Sequence, residues 1–229
     1  MTGKLYGVGV GPGDPELMTL KALRVIRENG VIALPCKEAK ESIAYRIAVD
    51  AVPEIEDKTL LGIEMPMDRD QKKVDMAHRQ GADSIEAYLK EGKNVVYLTL
   101  GDVTIYSTFF YIEQLVKADG YACEIISGVP SFCAGAAKLD TSLAQGSEAI
   151  HIYPDIAQWT GKEDQKGTVV FLKSHQQMKE IKERIRRSGR EAMMVENCGM
   201  KEESVYRQLE EIPDDAGYYS LIIAKEKEP

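Results

Sequence analysis

Short apolar segments alternate with helical patterns along the first part of the chain. The apolar segments lie at 5–10, 31–35, 93–100 and 122–126. Each is bounded by glycine, proline or polar residues, which is typical of buried strands. Between them, apolar residues recur every three or four positions, which predicts helices near 42–51, 74–91 and 105–119. Strands that alternate with helices favour an α/β domain with a mostly parallel sheet.

The first helix is predicted to follow a glycine-rich turn directly after the first strand. Asp14 is a suitable N-cap, and Pro15 suits the first helical position. The inward-facing stripe of this helix is predicted to consist of Leu17, Leu20, Leu23 and Ile26.

The second half of the chain repeats the alternation more loosely. Strands are expected at 149–153, 168–172, 192–196 and 221–225, and helices at 176–188 and 202–211. A polar stretch between residues 139 and 147 separates the two halves. We therefore predict two α/β domains, residues 1–142 and 143–229, with mostly parallel or mixed sheets.

Composition and charge exclude several classes of protein. The 229 residues include 29 basic and 37 acidic side chains, a net charge of −8, which argues against nucleic acid as the main partner. No apolar stretch approaches the ~18 residues of a membrane span, and no signal-peptide core is evident, so we expect a cytoplasmic protein without a membrane partner. The four cysteines and three histidines lack metal-ligand spacing, so no metal site is expected.

The glycine-rich opening does not fit a dinucleotide-binding fingerprint. In the pattern G-x-G-x-x-G, registers that start at Gly7, Gly9 or Gly11 place proline, aspartate or glutamate at the last position. Asp14 and Glu16 would also repel a pyrophosphate at the start of the following helix. A nicotinamide cofactor is therefore disfavoured, and the absence of G-K-[ST] excludes a P-loop.

Three loops follow predicted strands and carry residues suited to ligand binding. They are the turn after residue 10, the segment 101–108 and the segment 128–131. Ligands of open α/β sheets bind beyond the carboxyl ends of strands, so these loops predict one shared site. For Asp102 and Ser131 the residues alone leave a second interpretation open, namely that each only caps a helix.

The loop sequences resemble those of the tetrapyrrole methylases, class III methyltransferases that use S-adenosylmethionine. The segment 9–20 is similar to the N-terminal signature of that family, and Gly101-Asp102 and the loop 128–131 resemble its second and third signatures. Glu196-Asn197-Cys198 resembles its E-N-G or E-N-A element. Within the family, the segment 99–108 and the segment 219–222 are similar to the C-20 methylases of cobalamin synthesis.

The resemblance implies a fold of two α/β domains with a ligand cleft between them, a homodimer, and S-adenosylmethionine as methyl donor with S-adenosylhomocysteine as product. Carried over residue by residue, the implied donor contacts are Pro12, Leu100, Gly101, Asp102, Ile105, Pro130, Ser131, Leu172 and Cys198. The implied reaction is methylation of C-20 of precorrin-2 or cobalt-factor II, and the residues do not decide between the two substrates.

The implied chemistry suggests roles for further side chains. Transfer to C-20 requires loss of a proton, and Tyr106 is our candidate for assisting or orienting that step. The carboxylate of Asp102 is a candidate for accommodating the positively charged sulfur of the methyl donor. The substrate carries many carboxylates, and Lys37, Lys40 and Arg46 are candidates for binding them.

Four alternatives stay open at this point. Within the same class they are a methylase acting at C-11 or C-17 of a tetrapyrrole, and a diphthine synthase. From other classes they are a nucleotide-binding reductase, which would bind NADH, and a non-catalytic tetrapyrrole carrier, which would bind pigment without methyl turnover.

Overall fold

The computed structural model describes residues 2–66, 68–160, 162, 164–173 and 177–227. The chain divides into two compact units, Met1–Pro130 and Ser131–Pro229. Each unit contains a five-stranded sheet and α-helices. The predicted α/β fold class is therefore confirmed.

The sheet of the first unit is parallel throughout. Its strands are β1 (Lys4–Gly9), β2 (Val31–Leu34), β3 (Thr59–Gly62), β4 (Val95–Thr99) and β5 (Ala122–Ile126). They are ordered β3-β2-β4-β1-β5, and every neighbouring pair is parallel. All five carboxyl ends therefore lie at the same edge of the sheet.

Helices cover both faces of this sheet. They are α1 (Leu20–Glu28), α2 (Ile43–Ala51), α3 (Gln71–Lys90) and α4 (Phe109–Ala118). Short 3-10 helices span Pro15–Leu17, Ala39–Glu41 and Pro53–Asp57. Successive strand side chains point to opposite faces, so Val96 and Leu98 pack in a core with α1 and α2, whereas Val95 and Tyr97 pack in a second core with α3 and α4.

The first helix begins later than its pattern suggests. Asp14 caps the short helix Pro15–Leu17 by accepting from the N–H of Glu16, and Thr19 caps α1 by accepting from Ala22. The prediction that Leu20 points inward is wrong, since that side chain is 84% exposed and lies on the side of α1 opposite its buried positions. The buried side chains of α1 are Ala22, Val25 and Ile26.

The second unit has a mixed sheet. Its strands are β6 (Ile150–Tyr153), β7 (Thr168–Leu172), β8 (Glu191–Glu196), β9 (Ser204–Tyr206) and β10 (Ser220–Lys225), ordered β6-β7-β10-β8-β9. β6 and β7 are parallel, and β10 runs antiparallel to both β7 and β8. The helices are α5 (Ser131–Lys138) and α6 (Met178–Arg187), and 3-10 helices span Ile156–Trp159 and Leu209–Glu211.

Two expectations for this half differ from the structure. The predicted helix at 202–211 is wrong, because β9 pairs there with β8, Met194 opposite Tyr206, and only a short 3-10 helix follows. The unit boundary falls after Pro130, before the boundary predicted between 142 and 143, because α5 packs on β10, where Gly135 lies against Leu221. Gln176, the first residue of the predicted helix 176–188, lies outside the described residues.

Candidate active site

The loops after β1 and β4 meet at the carboxyl edge of the first sheet. Gly11 and Gly101 form an isolated antiparallel bridge, with N–H to oxygen distances of 3.2 and 2.8 Å. The N–H of Val10 also donates to Thr99 O at 3.0 Å. The backbone thus continues to pair beyond the ends of the two strands, so this edge is held by main-chain contacts.

Glycine is required at this edge because the loops approach too closely for side chains. Gly11 and Gly101 have φ angles of +78° and +71°, which lie in the region that favours glycine. A Cβ on Gly9 would lie 2.5 Å from Gly101 O and 2.7 Å from Gly128 N. The glycines therefore serve a close approach of the loops after β1, β4 and β5, and the expectation that the three loops meet at one sheet edge is confirmed.

The carboxylate of Asp102 fastens the β4 loop to the β5 loop. Its Oδ2 accepts from the N–H of Gly128 at 2.8 Å, and its Oδ1 accepts from both the N–H and the hydroxyl of Thr104, at 2.7 and 2.5 Å. The residue is only 6% exposed. Since α4 begins at Phe109, Asp102 does not cap it, and its carboxylate shapes the edge through the two loops it holds.

Two hydroxyl pairs attach the far end of the β4 loop back to its own strand. Ser107 Oγ lies 3.2 Å from Thr99 Oγ1 and also accepts from the N–H of Phe109 at 3.2 Å. The hydroxyls of Tyr97 and Thr108 are 3.2 Å apart. Burial raises the pKa of Tyr97 to about 12, so this partner is a neutral hydroxyl at physiological pH.

In the chain, Tyr106 lies between Asp102 and Thr104, which are joined by hydrogen bonds, and the hydroxyl-bearing residues Ser107 and Thr108. Its φ is +48°, a left-handed conformation that a bulky residue adopts only where its surroundings impose it. Its side chain is 52% exposed. Backbone strain of this kind clusters at functional sites, so the conformation of Tyr106 supports, as a hypothesis, a role in chemistry or binding.

In the second unit, Leu172 and Cys198 lie at one edge of the sheet. Leu221 of β10 pairs with Leu172 of β7 on one side and with Val195 of β8 on the other. Leu172 and Cys198 are both buried. The residue after each strand, Lys173 or Asn197, has a φ above +50°, so β7 and β8 both end in a sharp turn, beside the same end of β10.

The remaining candidate residues occupy several places. Pro12, Leu100 and Ile105 belong to the loops after β1 and β4, and they are buried or half-buried. Pro130 ends the first unit, and Ser131 is the first residue of α5 in the second. Thr99 and Thr104 also shape the β4 loop, although neither was predicted from the sequence. The signal for Thr104 is the spacing Asp102-x-Thr104, which is typical of a turn closed by an aspartate side chain.

The candidate substrate ligands Lys37, Lys40 and Arg46 are exposed side chains. Lys37 follows β2, the neighbour of β4, and thus lies at the same sheet edge as the three loops. Lys40 is in a 3-10 helix and Arg46 is on α2. Within the described part of the chain, no carboxylate lies within 4.0 Å of any of the three cations.

Among the described residues, no group of three or more histidine, cysteine, aspartate or glutamate side chains is placed to hold a metal ion. The same residues contain no helix of sufficient length and apolar character to cross a bilayer.

Known proteins similar to this chain include methyltransferases of cobalamin synthesis. A probable cobalt-precorrin-2 C(20)-methyltransferase of Methanocaldococcus jannaschii is 37% identical over 172 residues, which cover 75% of this chain and 72% of that protein. The cobalt-precorrin-2 C(20)-methyltransferase of Salmonella typhimurium is 27% identical over 99% of this chain and 98% of its own. The precorrin-2 C(20)-methyltransferase of a Sinorhizobium species is 26% identical over 96% and 94% of the two chains.

Solved structures share the fold over the whole chain. Uroporphyrin-III C-methyl transferase of Thermus thermophilus, solved as a complex with S-adenyl homocysteine, has a TM-score of 0.69 and 23% identity, and the alignment covers 98% of each chain. At the level of sequence, the family model of tetrapyrrole (corrin/porphyrin) methylases matches residues 4–213. The chain therefore belongs to the tetrapyrrole methylase family.

Proposed function

We propose that this protein is an S-adenosylmethionine-dependent methyltransferase that methylates C-20 of precorrin-2 or cobalt-factor II in cobalamin biosynthesis. The observation that carries the proposal is the 37% identity, over three quarters of the chain, to a relative named for that reaction. The segment 99–108, which resembles the C-20 subgroup, supports methylation at C-20. It argues against a methylase that acts at C-11 or C-17 and against a diphthine synthase.

The edge of the first sheet has the properties that a methyl-donor site needs. Gly9 and Gly128 let backbone approach closely there, since a Cβ on either would collide with neighbouring main chain, and half-buried Leu100 and Ile105 add apolar surface. We propose that this edge holds S-adenosylmethionine, with further contacts from Pro12, Asp102, Pro130, Ser131, Leu172 and Cys198. The donor supplies an activated sulfonium methyl group, so the protein contributes mainly alignment, which is worth ~7–11 kcal/mol when two reactants are held correctly.

The proposed reaction forms one carbon–carbon bond and releases one proton. The nucleophilic C-20 attacks the sulfonium methyl, the carbon–sulfur bond breaks with its electron pair on sulfur, and C-20 then loses its proton. We propose that Tyr106 assists or orients this proton loss. Its imposed backbone conformation and its exposed side chain support that role.

We propose that Lys37, Lys40 and Arg46 bind carboxylates of the tetrapyrrole. Arginine and lysine pair with carboxylates through charge-assisted hydrogen bonds, and these three cations have no carboxylate partner within 4.0 Å among the described residues. The relatives are named for substrates with and without cobalt, so either macrocycle remains a substrate in this proposal. From the family resemblance we also propose that the enzyme is a homodimer, and we propose that it acts in the cytoplasm.

A parallel assay tests the function. The full chain is incubated with methyl-labelled S-adenosylmethionine and either precorrin-2 or cobalt-factor II, and the product is analysed by mass spectrometry and by NMR. We expect a single added methyl on C-20 with at least one substrate. A methyl at another ring position would replace the proposed position, and pigment binding without turnover would indicate a carrier. Fluorescence quenching by NADH but not by S-adenosylhomocysteine would indicate a reductase.

A further inference from the structure

The second unit contains a cavity that the proposed methyl transfer does not use. Its volume is about 480 Å³. It lies between the end of α6, the start of β8, the segment 207–210 and Lys227. All of its walls belong to the unit Ser131–Pro229.

Cations outnumber carboxylates around this cavity. Among the described residues, the lining includes Arg186, Arg190, Arg207 and Lys227 but only two carboxylates, Glu191 and Glu210. The closest ion pair between these groups is loose, with Arg186 Nε 3.9 Å from Glu210 Oε1. This local excess of positive charge is opposite in sign to the net charge of −8 on the whole chain.

Arg190 is a buried cation in the cavity wall. It is 6% exposed, and its guanidinium donates to the carbonyl oxygens of Gly167, at 2.5 Å, and Gln165. Over the described ranges, its Nε has no hydrogen-bond partner and no carboxylate lies within 4.0 Å of it. Glu226 acts on Arg190 only through its longer-range charge, and its oxygens already accept from Gly167 N and Lys166 Nζ. A buried charge without an ion pair is costly, and an anion in the cavity would offset that cost.

The cavity is separated from the proposed donor contacts within this unit. Glu191 and Ala192, which line it, begin β8, whereas Cys198 follows the other end of the same strand. The six residues of β8 span roughly 20 Å at the usual rise of a strand. An anion in the cavity would therefore lie far from Leu172 and Cys198.

We propose that this cavity binds a small multivalent oxyanion, of the phosphate or carboxylate class, at a site distinct from Leu172 and Cys198, the proposed donor contacts on the strands of this unit. Guanidinium groups match both classes through paired N–H donors. The volume suits an anion of the size of pyrophosphate or citrate.

Calorimetric titration of the full chain with pyrophosphate and with citrate, at low ionic strength, tests the proposal. We expect saturable binding of at least one anion. Tighter binding of pyrophosphate would identify a phosphate ligand, and tighter binding of citrate would identify a carboxylate ligand. The variant that combines Arg186→Gln and Lys227→Gln should bind that anion at least about tenfold more weakly, because two charge-assisted contacts are lost. The matched control is Arg187→Gln, since Arg187 lies in the same last helical turn but pairs with Glu183 outside the cavity.

Two results would overturn the site. One is the absence of binding by either anion to the wild-type chain. The other is equal weakening by the control and the double variant, which would indicate a diffuse effect of charge. Lys227→Gln alone provides the same comparison if the double variant does not fold. Binding of S-adenosylhomocysteine should be unchanged in all variants, so failure of this site and failure of the proposed methyl transfer are distinguishable.

Discussion

The backbone N–H of Gly128 donates a 2.8 Å hydrogen bond to Oδ2 of Asp102, and this bond joins loops that are 26 residues apart in the chain. The other carboxylate oxygen accepts two bonds from Thr104. One buried side chain thus sets the relative position of two of the three loops at the proposed donor site.

Replacement of Asp102 by alanine should damage both the fold and donor binding. The N–H groups of Gly128 and Thr104 would lose a carboxylate acceptor, and a hydrogen bond to a charged group contributes about 1.5–3 kcal/mol. We expect the free energy of unfolding in urea to fall by that amount, and affinity for S-adenosylhomocysteine, measured by calorimetry on folded protein, to fall about tenfold. Asp50→Ala, at an exposed position on α2, is the control. Unchanged affinity in Asp102→Ala would remove Asp102 from the donor site.

A methyl group added at Gly128 should disrupt the meeting of the loops. A Cβ there would collide with Gly101 O and lie 2.8 Å from Gly9 C, both backbone atoms that cannot move alone. Gly128→Ala should therefore destabilise the chain by about 1–3 kcal/mol, as overpacking does, and abolish binding of S-adenosylhomocysteine. At Gly30 an added Cβ meets nothing within 4 Å, so thermal unfolding of Gly30→Ala should match wild type. Equal behaviour of the two variants would contradict the steric argument.

Removal of the Tyr106 hydroxyl should separate turnover from donor binding. In Tyr106→Phe we expect a lower kcat with little change in affinity for S-adenosylhomocysteine, because the phenol is proposed to act on the C-20 proton and not on the donor. Steady-state kinetics and calorimetry measure the two quantities. The control is Tyr111→Phe, which should be fully active. Tyr111 is also exposed but lies on α4. Full activity of Tyr106→Phe would exclude the proposed role of its hydroxyl while leaving the family assignment intact.

The hydroxyl of Ser107 should matter because it anchors the residue next to Tyr106. Ser107→Ala loses the 3.2 Å contacts to Thr99 Oγ1 and to the N–H of Phe109, which frees the end of the loop. We expect kcat to fall as in Tyr106→Phe. Ser107→Thr keeps a hydroxyl and should restore most of the lost rate. A threonine variant as slow as the alanine variant would show that the hydroxyl is not the cause.

His78 should make the folded state less stable at mildly acidic pH. Burial lowers its pKa below the ordinary value of 6.5, while Asp75 opposes the shift to a smaller extent. The unfolded chain therefore binds the proton more readily, and stability falls as pH decreases through 6.5 towards the lower folded value. The rings of His78 and Tyr111 are stacked, with centroids 4.8 Å apart. His78→Phe keeps a ring in that place but removes the titratable imidazole. The stability of the variant relative to wild type should rise as pH falls, measured by urea unfolding; a difference independent of pH would contradict this.

Local patterns in the sequence determined much of the architecture. The apolar runs of β1, β2 and β4 are short and continuous, and such runs bounded by glycine or proline have few alternatives to a buried strand. The predicted strands at 149–153, 168–172, 192–196 and 221–225 are confirmed by β6, β7, β8 and β10. The candidate loops followed from the same patterns, since each comes directly after a recognisable strand.

Features that depend on distant partners were decided only by the tertiary structure. Strand β9 replaces a predicted helix because β8 offers its edge for pairing, and β3 is a half-exposed edge strand whose four residues carry no clear pattern. Leu20 is exposed because Ala22, Val25 and Ile26 form the buried face of α1. The place of α5 follows from its packing against Leu221. The residue types at Asp102 and Gly128 are visible in the sequence, but the bond between them exists only because parallel strands bring their carboxyl ends to one edge.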